Sequence, residues 1–393
     1  MTMFSSLTSV RHAWTAVIAV GLATFSVVTT EMLPVGLLTS IAASLNISTG
    51  TAGLMISLPA LLAALFAPFV VIAAGGIDRR WILCGLLGLL VLANLACALA
   101  SNLPVMLAAR ILVGFCMGGI WAIAGGLAAR LVPEKAVGLA TSVIFGGVAA
   151  ASVLGVPFGA FMGDLIGWRW AFGSMALFSA GVLALHAVVI PPLPVARSTD
   201  TRQFIAQFGN RTLQRGLLVT LLLVTSHFVA FTFVRPLLIT VAGFETQWIG
   251  VVLFAYGLAG LAGNFLAGIT AMRHTTFTLM GIAAGLILTP LLFFTVGHSV
   301  IGGSATLLFW GLAYGGVSVG LMTWMIKAAP RAVEIAAALY VGVFNVGIAL
   351  GSWVGGEIVD RLALTDTLWL ACGLAVVALL TLLAADRGEN QIQ

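Results

Sequence analysis

Five stretches of this chain, residues 32–77, 81–109, 136–163, 246–272 and 275–326, contain no Asp, Glu, Lys or Arg. About 20 helical residues cross the hydrocarbon of a bilayer, so the longest stretches must cross, turn and cross again. Of the 393 residues, 61% are hydrophobic and only 7% charged, which leaves too little polar surface to cover a soluble domain. An outer-membrane barrel would show alternating segments of about ten residues, and these runs do not alternate. The fold expected is all-α and integral to the membrane.

Turn and charge signals divide the chain into twelve spans near 13–44, 51–74, 81–101, 105–130, 136–162, 169–190, 216–241, 247–271, 275–297, 303–328, 335–358 and 367–385. If the N-terminus is cytoplasmic, the inner loops carry Arg11, Arg79, Arg80, Arg130, Lys135, Arg197, Arg202, Arg211, Arg215, Arg273, Lys327, Arg331 and Arg387. The outer loops carry only Arg169 and Arg361. Basic residues are retained inside, so both termini are expected in the cytoplasm. The sequence pI near 9.4 then reflects topology and attraction to anionic lipid, and no nucleic-acid partner is inferred. The first span is too long for a signal-peptide core, and it is expected to stay attached. Cys84, Cys97, Cys116 and Cys372 stand singly in apolar text, without the spacing of a metal or redox site, and read as packing residues. No metal and no cofactor other than a coupling proton is expected.

The basic, proline-containing connector 191–214 separates six spans from six, giving a bundle over 1–190, a cytoplasmic linker and a second bundle over 215–393. Motifs recur between the halves. Gly114, Gly118 and Gly119 match Gly311, Gly315 and Gly316 at an offset of 197, and Gly155, Gly159 and Asp164 match Gly351, Gly355 and Asp360 at 196. Parallel six-helix repeats place a binding cavity between the bundles near the bilayer midplane. The same offset lays "VTTE", ending at Glu31, onto "VTSH", ending at His227. Each sits about fifteen residues before the outer turn, or ~22 Å at ~1.5 Å per residue, which is mid-membrane.

An ionised carboxylate at a helix centre costs ~2.5–3.5 kcal/mol even on the lenient insertion scale. Desolvation favours the neutral form of such a group, which suits loading and releasing a proton; a structural carboxyl bonded to a neighbouring helix is the alternative for Glu31. Pro34 frees a backbone carbonyl and bends the helix, as a cavity wall or as an inert kink. Arg110 lies about six residues into the fourth span, where it needs an acid, carbonyls or water; its repeat counterpart is Leu307. It could approach Glu31 and be released on protonation, or snorkel to the outer interface. His227 could share the proton, bond substrate or be satisfied by a neighbouring helix. Trp121, Tyr256, Asn264, Tyr314, Trp324, Tyr340 and Asn345 are the polar and aromatic cavity candidates, each also suited to packing. His186 and Asn94 read as structural.

The stretches "TTEMLPVGLL", "GGIDRR", "RILVGFCMGG", "GVPFG", "GWRWAF", "FVRPLL" and "GVFNVGIALGSWVGG", in this order along the chain, resemble the major facilitator superfamily. More narrowly they resemble its bacterial drug:proton antiporter branch, which includes sugar, arabinose and purine ribonucleoside exporters. That resemblance implies two pseudo-symmetric six-helix bundles. It implies proton coupling through Glu31 and Arg110, to which the repeat adds His227 as a candidate participant, and a cavity or gate role for Arg235, which precedes Pro236 as in the nucleoside exporters. It favours Asn345 among the cavity candidates. Gly155, Pro157 and Gly159 match the antiporter signature, a close, bendable helix contact. Asp78, Arg79 and Arg80 match a cytoplasmic loop signature in compressed form and are expected to clamp helices in the outward-facing state, or to be plain positive-inside residues; the second-half loop keeps Arg273 and no acid.

The function expected is proton-driven export of a small solute, a sugar, nucleoside or drug-like compound, across a bacterial inner membrane by a monomer. A symporter or uniporter of the same fold is the alternative, and a non-transporting membrane sensor the alternative of a different class. Enzymatic chemistry has no Ser/His/Asp set, metal cluster or phosphate loop to rest on.

Overall fold

The computed structural model describes residues 2–73, 77–193, 209–330 and 332–390. Arg331 and residues 194–208 of the expected linker, with Arg197 and Arg202, lie outside these. Among the described residues, twelve helices are long and apolar enough to cross a membrane: α1 His12–Leu45, α2 Thr49–Ala67, α3 Arg79–Leu99, α4 Leu103–Ala124, α5 Glu134–Ile166, α6 Trp168–Val189, α7 Arg211–Phe231, α8 Thr246–Ala271, α9 Thr275–Thr295, α10 Val300–Ala328, α11 Ile335–Arg361 and α12 Asp366–Ala385.

Short polar side chains start several of them, as exposed N–H groups of a first turn require. Asn102 Oδ1 accepts from the Val105 N–H at 3.0 Å, and Asn210 Oδ1 from the Leu213 N–H at 3.1 Å. Three spans are less continuous than the sequence implies, the first being α2, which breaks at Gly53 after a single turn, Thr49–Ala52. Helix α7 stops at Phe231 and a short helix, Val234–Thr240, follows. Pro236 stands in the first turn of the second helix, where its missing N–H would in any case have no intrahelical acceptor. Span α10 is two helices, Val300–Gly315 and Val317–Ala328. By contrast Pro34, Pro157 and Pro290 lie inside uninterrupted helices.

The packing pairs of the first six helices recur in the second six. Helix α1 packs on α5 as α7 does on α11, α2 on α4 as α8 on α10, and α3 on α6 as α9 on α12. The glycine repeat sits at these contacts. A methyl group added at Gly155 would meet Thr29, and one at Gly351 would meet Thr225; one at Gly159 would lie 2.7 Å from the Leu33 carbonyl oxygen, and one at Gly355 would meet the Val229 carbonyl. Small residues at these positions let the backbones touch, which is how helices associate without a hydrophobic drive.

The halves meet through α2 with α11 and α5 with α8. Call the side of the membrane with the arginine-rich loops the basic face, and the other the far face. One buried core runs through the far-face ends of the first six helices and on through the second six, including Leu37, Ile41, Met55, Phe172, Phe233 and Leu238. The basic-face part of the first six helices has a separate core, including Val20, Leu87, Ile120 and Ile144. The halves are therefore sealed together at the far face.

Candidate functional site

Helix α1 carries the site's first group. Pro34 lacks the N–H that would bond the Thr30 carbonyl one turn earlier, and that oxygen must find another donor. Arg110 of α4 supplies it. The Arg110 guanidinium, fully buried, donates from Nη1 to the Thr30 carbonyl at 2.8 Å, from Nη2 to the Glu31 carbonyl at 2.9 Å and from Nε to the Met55 carbonyl of α2 at 2.6 Å. One cation thus joins α1, α2 and α4 beside Pro34. It holds the backbone of Glu31, and no ion pair links it to the Glu31 carboxylate.

The carboxyl of Glu31, 3% exposed, has an oxygen without a hydrogen-bond partner. It is within electrostatic range of Arg110 and of Tyr314 on α10. The Tyr314 hydroxyl is likewise buried without a partner, as are Thr29 Oγ1, Thr225 Oγ1, His227 Nδ1 and Asn345 Oδ1. Buried polar atoms are nearly always bonded, so each of these atoms on α1, α7, α10 and α11 is left open to a further partner.

His227, also buried, is enclosed by rings. It stacks on Tyr314 with centroids 3.3 Å apart and on Phe231 at 4.6 Å, with Trp310 edge-on at 5.3 Å. Phe231 in turn stacks on Tyr256 at 4.9 Å. These rings of α7, α8 and α10 form an aromatic cluster in the second half, of which Tyr314 lies within electrostatic range of Glu31 in the first.

The other sequence candidates scatter. Asn345 donates to the Val341 carbonyl one turn back at 2.9 Å. Tyr340 bonds Ser318 and lies 5.6 Å from Phe344. Trp121 is half-buried against Phe145 at 5.9 Å, and Asn264 is half-buried on α8. Trp324 is at the basic face, its indole N–H donating to the Thr212 carbonyl at 3.0 Å. Asn94, read from sequence as structural, donates to Thr30 Oγ1 at 3.1 Å, one residue from Glu31. A lone amide in an apolar span gave no sign of that proximity.

Arg235 is at the far face, 2% exposed, and reaches wholly into the other half. It donates to the Gly36 carbonyl at 2.7 Å, to Thr39 Oγ1 at 3.0 Å and to Asp164 Oδ1 at 2.5 Å, where it forms an ion pair. Asp360, the repeat partner of Asp164, makes the reciprocal contact. Its carboxylate accepts from Ser48 Oγ at 2.5 Å and from the Gly50 N–H at 2.9 Å, at the start of α2. The two repeat aspartates thus latch the halves together from opposite sides. The sequence marked them as repeat positions without revealing that use.

At the basic face Asp78 caps α3. One oxygen accepts from the Arg80 N–H at 2.9 Å and the Leu193 N–H at 2.8 Å. These bonds, Leu193 first, hold its carboxyl below the usual aspartate range. Arg80 donates to the Ala187 carbonyl at 2.5 Å and lies over Trp81. The loop ties α3 to the chain leaving α6. Arg79 is half-buried beside it. Gly155, Pro157 and Gly159 are buried where α5 meets α1, and the Pro157 carbonyl also faces Gly250 of α8.

Comparison with known proteins agrees with this architecture. The chain is 32% identical over 379 residues to the purine ribonucleoside efflux pump NepI of Salmonella paratyphi A, covering 96% of this chain and 95% of that protein. It is 31% identical over 376 residues to the protein of that name from Escherichia coli O157:H7, covering 95% and 94%. Among solved structures, it superimposes on an inward-facing, unoccupied bacterial homologue of the human lysosomal transporter Spinster with a TM-score of 0.79 at 15% identity, covering 96% of this chain and 97% of the other. A D-xylose–proton symporter matches with a TM-score of 0.73 at 18% identity, covering 94% and 96%. The nucleoside transporter NupG matches with 0.76 at 15%, covering 93% and 99%. Residues 20–352 match the Major Facilitator Superfamily, and the chain belongs to that family as a multi-pass secondary transporter of a small solute.

Proposed function

We propose that the protein exports a nucleoside-like solute by exchange for protons, with Glu31 as the proton-carrying group. The observation that carries this reading is the partnerless carboxyl oxygen of Glu31, buried mid-helix on a backbone that Arg110 holds in place. A carboxyl fixed there exchanges a proton only when the cavity opens to one side or the other, which is what coupling needs. The aromatic cluster of Phe231, Tyr256, Trp310 and Tyr314 supports a planar, partly apolar solute, and His227 and Asn345 offer unused polar atoms to its hydroxyls or ring nitrogens. The relatives' purine ribonucleosides are the solutes of first choice.

In this reading the halves, 1–190 and 215–393, rock about the Glu31 level as two bodies. The far-face latches of Asp164 with Arg235 and Asp360 with Ser48 and Gly50 hold the cavity closed there. The loop charges make the basic face cytoplasmic, so the molecule is inward-facing. Solute enters from the cytoplasm, the latches part, and a proton taken by Glu31 from outside drives the return.

The test is transport in proteoliposomes. With the wild-type protein, an imposed pH step drives concentrative movement of inosine or guanosine opposite to the proton, and Glu31→Gln abolishes it while leaving the protein folded. If Glu31→Gln still concentrates the nucleoside in response to the step, the assignment of Glu31 is wrong. Movement in the same direction as the proton would instead make the protein a symporter.

A further inference from the structure

The repeat that relates Glu31 to His227 also relates Asp78 to His274, at the same offset of 196. Asp78 precedes α3 and His274 precedes α9, yet they do opposite things. Asp78 brings its own carboxylate to the first turn of α3. His274 makes no side-chain bond to the first turn of α9. Where the first half has an acid, the second half has a cavity of about 360 Å³ at the basic face.

That cavity is lined by Arg273, His274, Thr276, Phe277, Trp324 and Lys327, among others, and none of the lining residues is acidic. Lys327 is fixed there by bonds to the Met272 carbonyl and Thr275 Oγ1, both at 2.8 Å. Arg273 and His274 are exposed, and no ion pair neutralises either among the described residues. Cations gathered without an acid repel one another, and the first N–H groups of α9 lack intrahelical acceptors. A single anion with several acceptor oxygens relieves both.

We infer that this cavity binds a phosphate group, in the place that the Asp78 carboxylate holds in the first half. Phosphate presents oxygens to the Arg273 guanidinium, the Thr276 hydroxyl and the first turn of α9 together. The source favoured is the headgroup of an anionic phospholipid, because the apolar Phe277 of the lining and Met272 next to Arg273 are 77% and 68% exposed and basic pockets between helices at this face suit such headgroups. The bound phosphate joins the α8–α9 turn to the ends of α7 and α10.

The test uses the full-length purified protein in neutral detergent, with bound lipid counted by native mass spectrometry and thermal unfolding followed in parallel. Phosphatidylglycerol should be retained and raise the unfolding midpoint, whereas phosphatidylcholine should not. Arg273→Gln should lower phosphatidylglycerol retention at least fivefold. His274→Asp should do the same while keeping or raising the lipid-free midpoint, since an aspartate there can cap α9 as Asp78 caps α3; this shows that loss of binding is not loss of fold. Lys135→Gln, which removes a cytoplasmic-loop charge elsewhere, should bind like the wild type. If inorganic phosphate at millimolar concentration displaces the lipid and reproduces the shift, the phosphate site stands with the free ion as occupant. Wild-type retention by both Arg273→Gln and His274→Asp, or an equal loss in Lys135→Gln, overturns the proposal.

Discussion

Pro34 and Arg110, on different helices, act on one carbonyl. The proline withdraws the donor that the Thr30 oxygen would have had, and the arginine replaces it at 2.8 Å. This makes a testable pair. Arg110→Gln strands the carbonyls of Thr30 and Met55, whose intrahelical donors would be Pro34 and Pro59, each at about 1–3 kcal/mol when buried and unbonded, so a marked fall in the thermal midpoint in detergent is expected. Pro34→Ala in the same chain restores an N–H to Thr30 and should recover about 1 kcal/mol of that loss. Equal losses in Arg110→Gln with and without Pro34→Ala would show that the two do not share the carbonyl. The sequence showed that Glu31, Pro34 and Arg110 sit at unusual depths. It did not show that Arg110 would grip the Glu31 backbone rather than its carboxylate, because that depends on how α1, α2 and α4 cross.

Helix α3 depends on a single carboxylate for its first turn. The Leu193 and Arg80 N–H groups bond the ionised form of Asp78, which keeps its pKa below the ordinary value of 3.8. A group depressed on folding stabilises the native state above its unfolded pKa, and that contribution is lost as pH falls through the folded value. Asp78→Ala should therefore unfold at a lower temperature than the wild type near neutral pH, and the two midpoints should converge as pH drops below about 3.8. A gap that persists at low pH would mean that the residue acts through packing. Element limits were legible where chemistry is local, as in "SNLP" before α4 and "DRR" before α3. The interruptions of α7 after Phe231, before Pro236, and of α10 at Gly315–Gly316 were not, because proline and glycine also sit in unbroken helices of this chain, Pro34 and Pro157 among them.

For the molecule as a whole, the proposed rocking scheme makes the far-face latches set the balance between its two openings. Asp164→Asn removes the anion from the buried Arg235 and leaves its bonds to Gly36 and Thr39. A hydrogen bond to a charged group contributes about 1.5–3 kcal/mol, and each 1.4 kcal/mol is tenfold in a population, so the far-face-open state should gain at least tenfold. Spin labels at Ser101 and Gln247, both exposed at that face, read this as a longer distance component absent from the wild type. Gly50→Ala should act in the same direction, because an added Cβ meets the Gly356 carbonyl and the Asp360 carboxylate. Unchanged distances in both variants would remove the latches from the gating scheme.

The sequence by itself determined the solvent, the number of spans, the twofold repeat and the residues too polar for their depth. Each follows from composition and period, since hydrocarbon tolerates neither unpaired backbone nor idle charge. Only the tertiary structure decided what those residues touch. It gave the repeat aspartates their reciprocal grip on the opposite half, stacked His227 against Tyr314, and opened a cavity where a histidine replaces the capping aspartate. Such contacts join helices far apart in the chain, and the packing of one surface on another sets them.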